Sequence, residues 1–150
     1  MSDRTRAPAR SIRTTRELRL RVEAGAAAAG RDFTRRALAE FGWPLDGSGA
    51  APNAADDVVL LVSELLSNAC QYGSAPYRVA LCDYGPVDGG TVRVEVSDAS
   101  PAEPVMRNLD TPGAPGGYGM RLVDRLARSW GVDPDADGAG KTVWLEMAPT

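Results

Sequence analysis

The sequence contains no histidine. This excludes histidine-based zinc sites, Ser-His-Asp triads and a phosphohistidine relay through the chain's own residues. Its two cysteines, Cys70 and Cys82, form neither a metal-ligand spacing nor a disulfide framework. The GxxxxGK[ST] pattern of a P-loop is missing, and so is the GxGxxG dinucleotide fingerprint. No apolar run approaches the roughly 18 residues of a membrane span. The N-terminal stretch lacks the apolar core of a secretory signal, so a cytoplasmic setting is expected. Net charge is only −3, with a pI near 5.0. Direct nucleic-acid binding and membrane contact are therefore not expected.

What is present is an ordinary globular composition: 150 residues, 43% hydrophobic and 25% charged. One domain of this size can bury a core without staples. Residues 1–14, with Arg4, Arg6, Arg10, Arg13 and Pro8, read as a flexible basic arm ahead of a domain spanning 15–150. Alternation over Glu17–Val22 predicts a half-buried strand. An alanine-rich run with Phe33, Ala37, Leu38 and Phe41 at helical spacing predicts a helix ended by Gly42 and Pro44. A second helix is expected to run from a cap at Asn53 or Asp56 to Tyr72, with Gly73 as its stop. Strands follow at Tyr77–Cys82 and Thr91–Ser97, joined by the turn Gly85–Gly90. A long Gly/Pro-rich segment, with Pro112, Gly113, Pro115, Gly116, Gly117 and Gly119, leads into a short helix bearing Met120, Val123, Leu126 and Ala127. Trp130-Gly131-Val132, a turn at Asp133–Gly140 and a strand at Lys141–Met147 complete the order β-α-α-β-β-α-β-β. Tight turns make antiparallel neighbours, and interleaved helices give an α+β two-layer sandwich with one sheet face covered.

Three polar features break the apolar pattern. Glu64 and Asn68 lie one turn apart on the second helix, at the edge of the face formed by Val58, Val62, Leu65 and Ala69. That spacing suits a functional pair or a simple i,i+4 hydrogen bond on a solvated flank. Asp98 is in phase with Val92, Val94 and Val96, so its carboxylate points to the buried face. It would serve there as a ligand acceptor or as the cap of the following turn. Gly116-Gly117-Tyr118-Gly119 enters a helix, where close backbone approach and N-terminal amides suit an anion. The same pattern also makes an ordinary turn.

In their order, Glu64-Leu-Leu-Ser-Asn68-Ala, Asp98-Ala-Ser-Pro and Gly117-Tyr-Gly119-Met-Arg-Leu-Val resemble the motifs of the Bergerat-fold (GHKL) ATPases. That superfamily includes type II topoisomerases, histidine kinases and related chaperones. The Asp-x-Ser-Pro-x-x-Pro form ending at Pro104 and the tail Gly140-Lys141-Thr142-Val143-Trp144 are similar to the actinobacterial branch related to anti-sigma-factor serine/threonine kinases. The resemblance covers about residues 15–148. It implies a Bergerat-type sandwich with a mostly antiparallel, mixed sheet, helices on one face and an ATP lid over about Pro101–Gly116. It also implies ATP and Mg²⁺ as ligands. On this resemblance Glu64 is the catalytic base, Asn68 the magnesium ligand and Asp98 the reader of the adenine amino group. Gly117 and Gly119 cradle the phosphates, Tyr118 and Met120 belong to the same nucleotide-binding stretch, Met106 packs on the base, and Thr142 supports Asp98. The phase of the last strand sets Val143, Leu145 and Met147 on one face and Thr142, Trp144 and Glu146 on the other, so Thr142 reaches Asp98 only if the second face is the inner one. Ser100 and the following prolines replace the family's DxGxG. The implied activity is a kinase that phosphorylates an anti-sigma-factor antagonist and sequesters a sigma factor. The alternatives are an ATP-dependent partner-switching protein without turnover and a nucleotide-free interaction module. Homodimerisation follows by analogy alone.

Overall fold

The computed structural model describes residues 12–46, 53–86, 89–102 and 118–149. The elements run β1 (Thr14–Leu20), α1 (Ala26–Glu40), α2 (Ala54–Tyr72), β2 (Tyr77–Asp83), β3 (Val92–Asp98), α3 (Tyr118–Leu126), β4 (Ser129–Pro134) and β5 (Lys141–Met147). Among the described residues five strands form one sheet in the order β1-β2-β3-β5-β4, and all four neighbouring pairs are antiparallel. The connection through α3 carries the chain beyond β5 to the far edge. β4 therefore runs parallel to β3 without touching it, because β5 returns between them. This is the expected α+β sandwich, except that among the described residues the sheet is wholly antiparallel rather than mixed.

Two-residue periodicity decides which face is covered. Val79 and Leu81 of β2, Val92, Val94 and Val96 of β3, and Val143 and Leu145 of β5 all point to the helix side and are buried. They meet Val58, Leu61, Val62, Leu65 and Leu66 of α2, with Leu38 of α1 and Met120 and Val123 of α3 in the same core. The end of α1 is a Schellman turn. Trp43 N–H donates to Leu38 C=O at 2.9 Å and Gly42 N–H to Ala39 C=O at 3.1 Å, with Gly42 at φ 86°, a region open to glycine. At the start of α2, Asn53 occupies the cap position without a side-chain cap bond. Its φ −96° and ψ 4° are not the extended backbone that aims a capping oxygen at the first amides. Asp56, the other expected cap, lies inside the first turn, where its charge suits the helix's positive end.

The uncovered face carries a cross-strand ion-pair ladder. Arg78 bonds Glu17 on β1 and Glu95 on β3, and Arg93 bonds Glu95 at 2.9 Å. Arg93 also lies 4.4 Å from the Trp144 ring centroid. Trp144 in turn lies over Gly131, where an added Cβ would come within 2.8 Å of the indole. The hydrogen bond from Arg78 holds Glu17 below the ordinary glutamate range. A carboxylate with a lowered folded value stabilises above its unfolded value and loses that contribution as pH falls through the folded one.

Two outcomes follow. Leu66→Ala, which empties a fully buried position, is expected to cost roughly 2–5 kcal/mol in urea unfolding; a loss under 1 kcal/mol would contradict this packing. The stability difference between wild type and Glu17→Gln should be full at neutral pH and shrink below about pH 4.3. A difference that grows on acidification has the wrong sign.

Candidate functional site

The site forms where the end of β3 meets the start of β5, under the last turn of α2. Asp98 and Lys141 are register partners across the two strands. Both continue the inward-facing valine and leucine rows, so their charged ends lie inside. Their side chains are 2% and 7% exposed, respectively. The ammonium Nζ of Lys141 lies 2.9 Å from Asp98 Oδ2, and it donates to Asp98 Oδ1 and to the Ser100 carbonyl at 3.2 Å each. Ser100 N–H donates to Asp98 Oδ1 at 2.7 Å. Asp98 therefore caps the turn after β3, and its buried carboxylate accepts from Lys141 as well.

Two glycines make room at Asp98, one for its carboxylate and one for its backbone carbonyl. A Cβ on Gly73 would lie 2.5 Å from Asp98 Cγ and 2.6 Å from its Oδ1. A Cβ on Gly140 would run into the Asp98 carbonyl and come within 2.8 Å of Asp135 Oδ2. Gly73 is thus a space requirement as well as a helix stop, since its φ of −103° suits any residue. Ala99 N–H donates to Ser74 C=O at 2.7 Å, which fixes the end of β3 to the chain leaving α2.

Among the described residues the cleft beside Asp98 is lined by Leu65, Asn68, Ala69 and Tyr72 of α2, Val96 and Asp98 of β3, Ala102, Met120 of α3, and Lys141 and Val143 of β5. Its empty volume, open mouth included, is about 360 Å³. The walls are mostly apolar, with the Asp98–Lys141 pair and the Asn68 amide as polar groups, the composition of a small-molecule site. Burial pushes the Cys70 thiol and the Tyr77 phenol above their ordinary values, so both stay neutral near this end of the sheet.

The structure thus brings Asn68, Asp98 and Met120 to one cleft. Glu64 lies one turn before Asn68 on α2, half-buried and outside the residues lining it. Tyr118 and Gly119 open α3. Met106 and Gly117 lie outside the described residues, as does most of the expected lid. Thr142 requires a correction. Its hydroxyl is 2.7 Å from that of Ser97, on the uncovered face of the sheet, and not beside Asp98. The register pairs Ser97 with Thr142 and Asp98 with Lys141, so inward phase falls to the lysine. Sequence reasoning missed Lys141, although its signal was present: it precedes Val143, Leu145 and Met147 at two-residue spacing.

The profile of the family described as the histidine kinase-like ATPase domain matches residues 12–147. No curated protein matches the chain. Among solved structures, the crystal structure of the RsbU and RsbW domains of Rv1364c from Mycobacterium tuberculosis superposes with a TM-score of 0.59 at 22% identity. That match covers 89% of this chain and 32% of the mycobacterial one, so this chain spans about a third of that protein. SiaB in the SiaB–SiaC complex from Pseudomonas aeruginosa represents a second likeness, with a TM-score of 0.51 at 14% identity, covering 92% of this chain and 91% of that one. At these identities the likeness is one of fold.

Gly73→Ala is expected to cost roughly 1–3 kcal/mol by overpacking against the Asp98 carboxylate, read by thermal unfolding. A neutral or stabilising result would mean that Asp98 does not sit against α2.

Proposed function

The chain belongs to the histidine kinase-like ATPase domain family, and on that premise we propose that it is an ATP-dependent regulator of the anti-sigma type, a serine/threonine kinase acting on an antagonist protein. The observation that carries this reading is the buried Asp98 carboxylate at the end of an apolar cleft with the Asn68 amide on its wall. The residues fit an adenine nucleotide. An ionised carboxylate has about four acceptor sites, and those of Asp98 suit an exocyclic amino group. Guanine offers an acceptor at the same place and would leave both sides unsatisfied. Apolar walls from Leu65, Ala69, Val96, Met120 and Val143 suit the faces of a purine.

Magnesium nucleotide would supply a phosphoryl group activated for transfer. Asn68 offers an amide oxygen, the ligand type that magnesium accepts alongside phosphate oxygens and water. Glu64, one helical turn before Asn68, would take the role of orienting the attacking hydroxyl and accepting its proton. The resemblance assigns Gly117, Tyr118 and Gly119 to the phosphates; of these, Tyr118 and Gly119 open α3. The resemblance of these motifs to the anti-sigma kinases supports a protein substrate, an antagonist, and a sigma factor as the sequestered partner. The SiaB–SiaC structure is a domain of this shape in complex with a second protein.

A second reading, a nucleotide-controlled binding switch without turnover, is favoured by one observation: Glu64 does not line the cleft that Asn68 and Asp98 share. Glu64→Ala separates the two. The kinase reading expects wild type and Glu64→Ala to gain the same stabilisation from Mg-ATP, about 2.7 kcal/mol at a hundred times Kd. It also expects the variant to lose about 10²–10⁴-fold in phosphoryl transfer to an antagonist domain. Wild type that binds ATP and transfers nothing supports the switch instead. Absence of any ATP-dependent shift removes both.

A further inference from the structure

Lys141 is the only lysine in the sequence; every other basic side chain is an arginine. Among the described basic residues it is the buried one, and it lines the cleft. An ammonium has three donors, and here they meet Asp98 Oδ1, Asp98 Oδ2 and the Ser100 carbonyl at 2.9–3.2 Å. The Lys141 side chain therefore holds the carboxylate that the adenine reading assigns to the base. Lys141 lies against both oxygens of Asp98, and Ser100 N–H bonds Oδ1 as well. An incoming amino group therefore meets Asp98 in competition with the lysine ammonium.

We propose that Lys141 is a tethered competitor for the amino group of the incoming base, so that nucleotide binding is an exchange of donors on Asp98. The inference rests on the ATP reading of the cleft and adds a residue that sets its affinity. The geometry suits exchange. Lysine carries a compact charge on a flexible four-carbon stem, and its ammonium is readily rehydrated. Asp98 does not swing away with it, because Ser100 N–H bonds Oδ1 at 2.7 Å and Gly73 backs the carboxyl group. The acceptor stays aimed while its donor changes. Only the fraction of molecules with Lys141 displaced accepts a base, and the apparent Kd rises by the inverse of that fraction. A pair kept only for stability would be a poor use of two buried charges, since apolar replacement of such pairs is often neutral or stabilising.

The test is calorimetric titration of Mg-ATP into wild type, Lys141→Thr and Lys141→Met, each first shown to unfold cooperatively. Lys141→Thr keeps a small donor near Asp98, and Lys141→Met keeps the stem. The expected result is binding roughly tenfold tighter or more in the variants, about 1.4 kcal/mol. Folded variants that bind equally or more weakly, while wild type binds, overturn the exchange and leave the ATP reading standing. No binding by any of the three overturns both. A wild-type measurement covers the case in which the variants do not fold. With ¹⁵N at its Nζ, the single lysine gives one ammonium resonance by NMR. Saturating Mg-ATP should shift that resonance and speed its exchange with water; an unchanged signal overturns the proposal.

Discussion

A carboxylate on the inner face of a sheet is the constraint around which this molecule is organised. Asp98 ends a strand whose other inward residues are valines, and taking an ionised group out of water is costly unless donors meet it. The fold meets that cost from several directions. The neighbouring strand brings an ammonium, the chain after β3 brings a backbone N–H, and the end of α2 stops at a residue with no side chain. Breaking a buried pair by removing one member typically costs about 3–5 kcal/mol, while replacing both costs little. The proposed acceptor role of Asp98 gives such a pair a use beyond stability.

Topology makes this possible. β5 returns between β3 and β4, so the last strand, distant in sequence, becomes the direct neighbour of Asp98. The same sheet face meets α2, which carries Asn68 over the cleft, and α3, which contributes Met120. Residues from four elements converge without any local sequence motif joining them. The uncovered face follows a different rule: its alternating charges pair across strands, and Trp144 lies flat over Gly131.

Much of this was legible in the sequence. The two-residue phase of Val92–Asp98 placed Asp98 inward, and the helical phase of Val58–Ala69 placed Asn68 at the edge of the core. The final strand matched its expected bounds because a Gly-rich turn and an unbroken alternation mark both ends. β1 lies three residues earlier at its start than the pattern over Glu17–Val22 suggested, since an edge strand with charged residues on both faces has a weak phase signal. Thr142 was expected beside Asp98 from family resemblance, against the phase of its own strand, and the phase prevailed. The spacing role of Gly73 was hidden because a helix stop and a space requirement call for the same residue. Expectations for Met106, Gly117 and the lid fall outside the described residues.

In the proposed function, Asp98 recognises a purine's exocyclic amino group. The most direct measurement compares the affinity of the wild-type protein for Mg-ATP with that for the magnesium triphosphate of purine riboside, which differs by lacking that amino group. Loss of a hydrogen bond to a buried charge is worth about 1.5–3 kcal/mol, so the analogue should bind at least tenfold more weakly. Equal affinity for the two nucleotides would contradict the account.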